Sequence, residues 1–283
     1  MSLYLDYNAS TPLDREVLEI MIEAYTEGYG NSESRTHDYG TKAHKRVEEA
    51  RKKAAELLNV HTNEVIFTSG ATESDNMAIL GLQDYGERTG KKHIITTEIE
   101  HKAVLEPCKE LQKRGFEVEL IEPDSSGRIK ADDVLNRVRK DTLLVSVMHA
   151  NNETGIIQPV REIGDELNDK EVYFHVDAAQ SCGKLVDELK SMKYDLLSLT
   201  GHKMYAPQGI GILVARTENY RKPPLRPLFF GGGHENGMRS GTLPTALICG
   251  LGKMCELISQ NYKEYWNTYY ETKTKMLNIL KAS

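Results

Sequence analysis

What most constrains this chain is an alternation. Short apolar runs rich in β-branched residues occur at Val65–Thr68, His93–Thr97, Glu117–Ile121, Leu143–Val147, Val172–Val176, Leu196–Leu199 and Gly211–Ala215. Stretches of helical period lie between several of them. The clearest is Thr41–Leu58, where Ala43, Val47, Ala50, Ala54 and Leu57 share one face. Alternating strands and helices predict an α/β fold: a mostly parallel seven-stranded sheet flanked by helices on both sides. Such sheets bind ligands at the carboxyl ends of their strands, in the turns that lead into helices. The chain has 283 residues, enough for one large domain, or one domain plus a small one.

Charge and hydropathy remove other classes. Lys and Arg number 36 against 42 Asp and Glu, a net charge of −6, which argues against a strongly basic nucleic-acid binder. No apolar run is long enough to cross a bilayer. Asp6, Asp14 and Arg15 stand where a secretory signal needs apolar residues, so a cytoplasmic protein is expected. The four cysteines, Cys108, Cys182, Cys249 and Cys255, lack the spacing of a disulfide framework or a zinc site. Cys108 shares a helical face with Val104 and Leu111, and Cys255 with Leu251 and Ile258, the pattern of small core residues.

From Pro244 almost to Ser283 the chain reads as one helix. Its apolar stripe runs through Leu247, Leu251, Met254, Ile258, Tyr262, Tyr265 and Tyr269 to Met276, Ile279 and Leu280. A stripe needs something to bury it. Another subunit is one candidate, and a C-terminal domain beyond the end of this chain is the other.

Five strand-to-helix turns carry candidate chemistry. After Val65–Thr68, glycine leads into a helix opening Ala71-Thr72-Glu73-Ser74, whose free backbone N–H groups and dipole suit a phosphate. An ordinary helix cap is the plain alternative there. In Val172–Ser181, two-residue periodicity places His175 and Asp177 on one strand face, with Asp177 at the carboxyl end among apolar neighbours. A buried carboxylate there requires a positive partner. Neither HExxH nor CxxC accompanies it, so no metal is expected. Thr200-Gly201-His202-Lys203 puts a lysine just past a buried strand, where desolvation and nearby cations favour a nucleophilic amine. Asn151-Asn152 follows Leu143–Val147, and His101 opens the helix after His93–Thr97. Each signal has a structural explanation by itself. Together they supply phosphate donors, an acid, an amide and a lysine, the inventory that pyridoxal 5′-phosphate (PLP) needs. The lysine holds the aldehyde as a Schiff base, and the acid keeps the ring nitrogen protonated.

Seven segments, in order along nearly the whole chain, carry a more specific resemblance: Tyr4–Pro12, Thr68–Asn76, Glu100-His101, Asn151–Gly155, His175–Gln180, Ser198–Lys203 and Gly231–Thr242. In them the sequence resembles the cysteine desulfurases of the class V aminotransferase superfamily, in the NifS/IscS-like group. The resemblance implies a type I PLP-dependent transferase large domain. It assigns Lys203 to the cofactor aldehyde and to proton transfer at the substrate carbon, and Asp177 to the pyridinium nitrogen. Gln180 falls to the ring phenolate, Asn152 to cofactor and substrate orientation, and His101 to ring stacking and proton transfer. Ala71, Thr72, Thr200 and His202 fall to the phosphate, and Thr242 to the phosphate of the other subunit of a homodimer. The implied reaction takes L-cysteine to L-alanine and passes sulfur, as an enzyme persulfide, to an iron–sulfur scaffold or another thiolation acceptor. An aminotransferase or selenocysteine lyase on the same fold, and a non-catalytic PLP-binding fragment, are the alternatives.

The sequence departs from the resemblance in two places. Gly30-Asn31-Ser32 stands where the family usually has Gly-Asn-Pro. None of the four cysteines occupies a segment matching the family's persulfide cysteine, and no residue here matches its arginine for the substrate carboxylate. The expected organisation is residues 1–15 as a segment associated with a small domain and 16–243 as the PLP-binding domain. Residues 244–283 form a helix leading to a C-terminal small domain absent from the chain. Sulfur transfer by these residues alone is then expected to be negligible.

Overall fold

The computed structural model describes residues 3–217 and 222–282; Met1, Ser2, 218–221 and Ser283 lie outside the described residues. The strands are β1 (Val65–Thr68), β2 (His93–Thr97), β3 (Glu117–Ile121), β4 (Thr142–Met148), β5 (Tyr173–Asp177), β6 (Leu196–Thr200) and β7 (Gly211–Ala215). The helices are α1 (Arg15–Thr26), α2 (Asp38–Leu58), α3 (Ala71–Leu80), α4 (Gln83–Thr89), α5 (Lys102–Lys113), α6 (Ala131–Leu135), α7 (Val160–Leu167), α8 (Val186–Ser191) and α9 (Thr245–Ala282). One seven-stranded sheet runs in the order β1-β7-β6-β5-β4-β2-β3. β7 is antiparallel to both β1 and β6, and the other pairs are parallel.

All seven predicted strands form, with edges shifted. β4 runs from Thr142 to Met148 rather than Leu143 to Val147, because it is central and pairs with β2 and β5. β5 is displaced by one residue to Tyr173–Asp177, which makes Asp177 a strand residue paired with Met148 and Ser198. β6 reaches Thr200. The helix expected from Thr41 begins at Asp38, because His37 caps it by accepting the Gly40 N–H at 3.1 Å. β3 is one of the two edge strands, and its outward Glu117 and Glu119 pair with Arg139 and Arg137. Charges of this kind blunt a sheet edge.

Apolar layers cover both faces. Val47, Phe67, Val145, Phe174, Leu197 and Leu251 belong to one buried cluster, and Ile66, Met77, Ile94, Val104 and Leu144 to the other. The first half of α9 lies in the former, against α1 and α2. Small residues allow this close approach. A Cβ at Gly252 would sit 2.5 Å from Ala50 Cβ, and one at Gly250 2.9 Å from Met21. Further along, Tyr262, Tyr265 and Tyr269 are half-buried, and the Tyr262 hydroxyl donates to Asp187 at 2.7 Å. Met276, Ile279 and Leu280 are 61%, 70% and 59% exposed.

Candidate active site

The carboxyl ends of the strands surround a cavity of about 550 Å3. Ala71, Thr72, His101, Asn152, Asp177, Gln180, Thr200, His202 and Lys203 all line it. Thr242, the remaining predicted site residue, is exposed and lies outside this lining.

One end of the cavity is the start of α3. Gly70 is its N-cap and offers no side-chain acceptor. The β1–α3 turn can approach β7 closely because both contact positions are glycine: a Cβ on Gly211 would lie 2.6 Å from Gly70 Cα. Thr200 and the short Gly201–Lys203 turn complete this end. Glu73 accepts the Ser69 N–H at 2.8 Å and is clamped by Arg239 Nε at 2.8 Å. Burial opposes its charge, but the bonds from Arg239 and Ser69 win and hold the carboxyl below its ordinary range. The expected capping acid is therefore present, turned back on its own turn and neutralised.

The opposite end is acidic and buried. Asp177 accepts the Ala179 N–H at 2.9 Å, and burial, reinforced by Asp75, pushes its carboxyl up to about 7. Behind it His175 is locked between the hydroxyls of Ser146 (2.8 Å) and Ser198 (2.9 Å). Burial pulls its imidazole down to about 4, so it is neutral. His175 and Asp177 share a strand face as expected, but only Asp177 lines the cavity. Among the described residues no cluster of three metal-type ligands occurs.

His101 caps α5 by accepting the Ala103 N–H at Nδ1 (3.1 Å). In the neutral ring this leaves the proton on Nε2. The two asparagines divide their work. Asn151 is buried and holds the loop, accepting from Glu153 and Thr154 N–H and donating to Ile99 O, whereas Asn152 lines the cavity.

Lys203 extends from the turn after β6. Burial lowers its amine below the ordinary lysine value, against the pull of Asp6, Asp177 and Glu153. Its Nζ donates to the Asn8 carbonyl, which also receives Gln180 Nε2 at 2.9 Å. Thr11 anchors this N-terminal segment by donating its hydroxyl to His202 O at 2.9 Å.

Sequence reasoning missed Asp75, Ser10 and Gln208 in the lining. Asp75 is fully buried, with His175 Nε2 3.5 Å from one carboxyl oxygen, and burial pushes its carboxyl up to about 7 against a bond from Ser198. The signal for it was helical: Asp75 stands four residues after Ala71, on the same face of α3. Glu100 was noted only beside His101. It is buried, accepts Thr97 Oγ1 (2.7 Å) and Met148 N–H (2.9 Å), and is pushed up to about 8 by burial. All four cysteines are buried outside the cavity lining, as their helical pattern implied for Cys108 and Cys255. Burial raises each thiol, those of Cys108 and Cys182 to about 12.

The aminotransferase class-V family model matches residues 3–283. A protein from Vibrio campbellii named cysteine desulfurase IscS is 44% identical over 99% of this chain, which spans 69% of that protein's length. A solved structure described as a NifS-like protein superposes over the whole chain and 76% of its own, with a TM-score of 0.93 and 40% identity. Another, described as SspA in complex with cysteine, has a TM-score of 0.83 and 41% identity over 90% of this chain and 72% of its own. On these findings the chain belongs to the class-V aminotransferase family, whose members are PLP-dependent.

Proposed function

We propose that this protein is a PLP-dependent cysteine desulfurase that takes L-cysteine to L-alanine. The observation that carries the reading is one cavity holding a partly desolvated lysine, a buried carboxyl with no salt bridge among the described residues, and an uncapped helix start. These residues fit PLP. The α3 start with Thr72, Thr200 and His202 holds the phosphate, where backbone donors and the helix dipole favour an anion. Asp177 would meet the protonated ring nitrogen, which would give this buried acid the direct ion pair it does not make among the described residues. Gln180 would donate to the ring phenolate, and His101 and Asn152, which line the same cavity, would hold and orient the ring.

Bound there, PLP supplies an electron sink for bonds at the α-carbon of an amino acid. The chain's own groups do the rest. Lys203 holds the cofactor aldehyde and moves a proton at the substrate α-carbon. Its lowered affinity for a proton favours both tasks. His101, with its proton on Nε2, serves as the second proton-transfer group. The SspA relative described in complex with cysteine supports cysteine as substrate here. The sulfur would pass to an attacking thiolate, which becomes a persulfide as the substrate C–S bond breaks and alanine leaves, and from it to an acceptor such as an iron–sulfur scaffold. None of Cys108, Cys182, Cys249 and Cys255 is placed to carry it, since all are buried with raised thiols. Residues 1–283 by themselves are therefore expected to bind PLP without sulfur turnover. The protein works as a homodimer in the cytoplasm, with Thr242 offered to the second subunit's cofactor phosphate.

Lys203→Ala tests the assignment. The purified variant loses the PLP that borohydride fixes to the wild-type chain. Fixation at the wild-type level would overturn it.

A further inference from the structure

Glu73 lines the phosphate end of the cavity with the wrong sign of charge. It is the third residue of α3, the position from which an acid reaches back to cap its own helix. The first N–H groups of a helix have no partner inside it, so they are open to such an acid and to a bound phosphate alike. The structure shows the acid turned elsewhere. One Glu73 oxygen accepts the Ser69 N–H at 2.8 Å, and the other accepts Arg239 Nε at 2.8 Å. A second guanidinium nitrogen of Arg239 lies 3.4 Å from the oxygen that Ser69 holds. We infer that Arg239 is a positioning residue for the cofactor phosphate: it holds the Glu73 carboxylate on the Ser69 side of the turn and so keeps an internal anion off the helix start that the phosphate would occupy.

The loop that carries Arg239 is itself fixed. Glu235, on the same loop, accepts two Arg51 guanidinium donors at 2.8 and 2.7 Å and the Phe67 N–H at 2.8 Å. Phe67 belongs to β1, the edge strand that runs into the phosphate turn. Loop and turn are thus joined at two points, Glu235 on the strand and Arg239 on the helix start. His234 Nδ1 accepts the Gly241 N–H at 3.2 Å and closes the loop around Arg239. The Arg239–Glu73 pair is largely out of water, with side chains 22% and 8% exposed. Such a pair is little screened, and removing one partner leaves the other charge uncompensated. Without Arg239, the nearest free donors for Glu73 are those of the α3 start, where the helix dipole also favours an anion. A carboxylate there takes the place of a phosphate, or repels it at short range.

The inference rests on the reading of this cavity as a PLP site, so the test includes a probe that does not need PLP. Affinity is measured for PLP, and for pyridoxal, which has the same ring and aldehyde without the phosphate. Arg239→Met weakens PLP by about 10-fold or more, the scale of one partly screened like charge, and pyridoxal by less than about 2-fold. Inorganic phosphate, titrated into the cofactor-free protein and followed by phosphorus NMR, weakens in step with PLP. Adding Glu73→Gln to Arg239→Met brings both anions back to within about 3-fold of wild type, a coupling that two independent residues would not show. Equal losses for PLP and pyridoxal in Arg239→Met overturn the inference, because Arg239 then only supports the fold. So does a double variant as weak as Arg239→Met, because Arg239 then does not act through Glu73. If Arg239→Met does not fold, Arg239→Gln, alone and with Glu73→Gln, decides by the same readings. Failure of the wild type to capture PLP at Lys203 defeats the functional reading, and inorganic phosphate in the same variants then judges this one, which also falls if the wild type binds no phosphate.

Discussion

The cavity at the strand ends and the outer half of α9 break the rule of polar outside and apolar inside, in opposite senses. The cavity and the layer behind it bury Asp75, Asp177 and Glu100, with their carboxyls pushed up to about 7, 7 and 8. The helix exposes Met276, Ile279 and Leu280. The first imbalance is specific, because a cation of the right shape relieves it at one place. The second is diffuse, since any apolar surface relieves it. Buried charge without a partner is costly, whereas exposed apolar side chains are ordinary on protein surfaces. The comparison teaches that a site is recognised by its unmet electrostatics more surely than by an uncovered stripe.

Asp177→Asn breaks the cavity side with the largest effect. It keeps the size and removes the anion for the ring nitrogen, so PLP affinity falls by about 100-fold, equivalent to ~2.7 kcal/mol. The same change stabilises the cofactor-free protein. In wild type the folded state holds the Asp177 proton up to about pH 7, while the unfolded chain releases it near its ordinary value of 3.8. The folded state therefore binds more protons in that window, and stability falls as pH rises through it. Urea unfolding at pH 8 should show a gain of about 1–3 kcal/mol for the variant, and a much smaller gain near pH 4. Loss of both affinity and stability would mean that Asp177 is a structural residue.

On the packed half of α9, Gly252→Val drives a side chain into Ala50 and destabilises the protein by about 1–3 kcal/mol in urea titration. An unchanged midpoint would show that α2 and α9 slide apart easily. On the outer half, Ile279→Ser with Leu280→Ser has the smallest effect, within about 0.5 kcal/mol, because neither side chain is buried. A larger loss that grows with protein concentration would show that a second copy covers this face.

Much of this was legible in the chain. Each strand announced itself by a local apolar run, and α2 by the spacing of Val47, Ala50 and Ala54. These signals are local, so no distant residue had to be known. Strand edges were less legible. Whether Asp177 ends β5 or follows it depends on its partners Met148 and Ser198, which stand on neighbouring strands. Lys203, Asp177, Gln180 and Thr72 were readable as candidates because strand-end turns of an α/β fold converge, whatever their separation in sequence, and the resemblance proposed their roles.

Composition and period by themselves determined the class of fold, the order of its elements and the inventory of donors, acids and lysine at its strand ends. Period could not separate Asn152 from Asn151 or Asp177 from His175; the resemblance assigned Asn152 and Asp177, and the tertiary structure placed those two, not their neighbours, in the cavity lining. It alone showed Asp75 as a buried acid, and Arg239 as the cation that clamps Glu73. The reason is physical. Periodicity is a property of neighbours along the chain, whereas desolvation and charge coupling depend on everything within a few ångströms, and folding sets those distances.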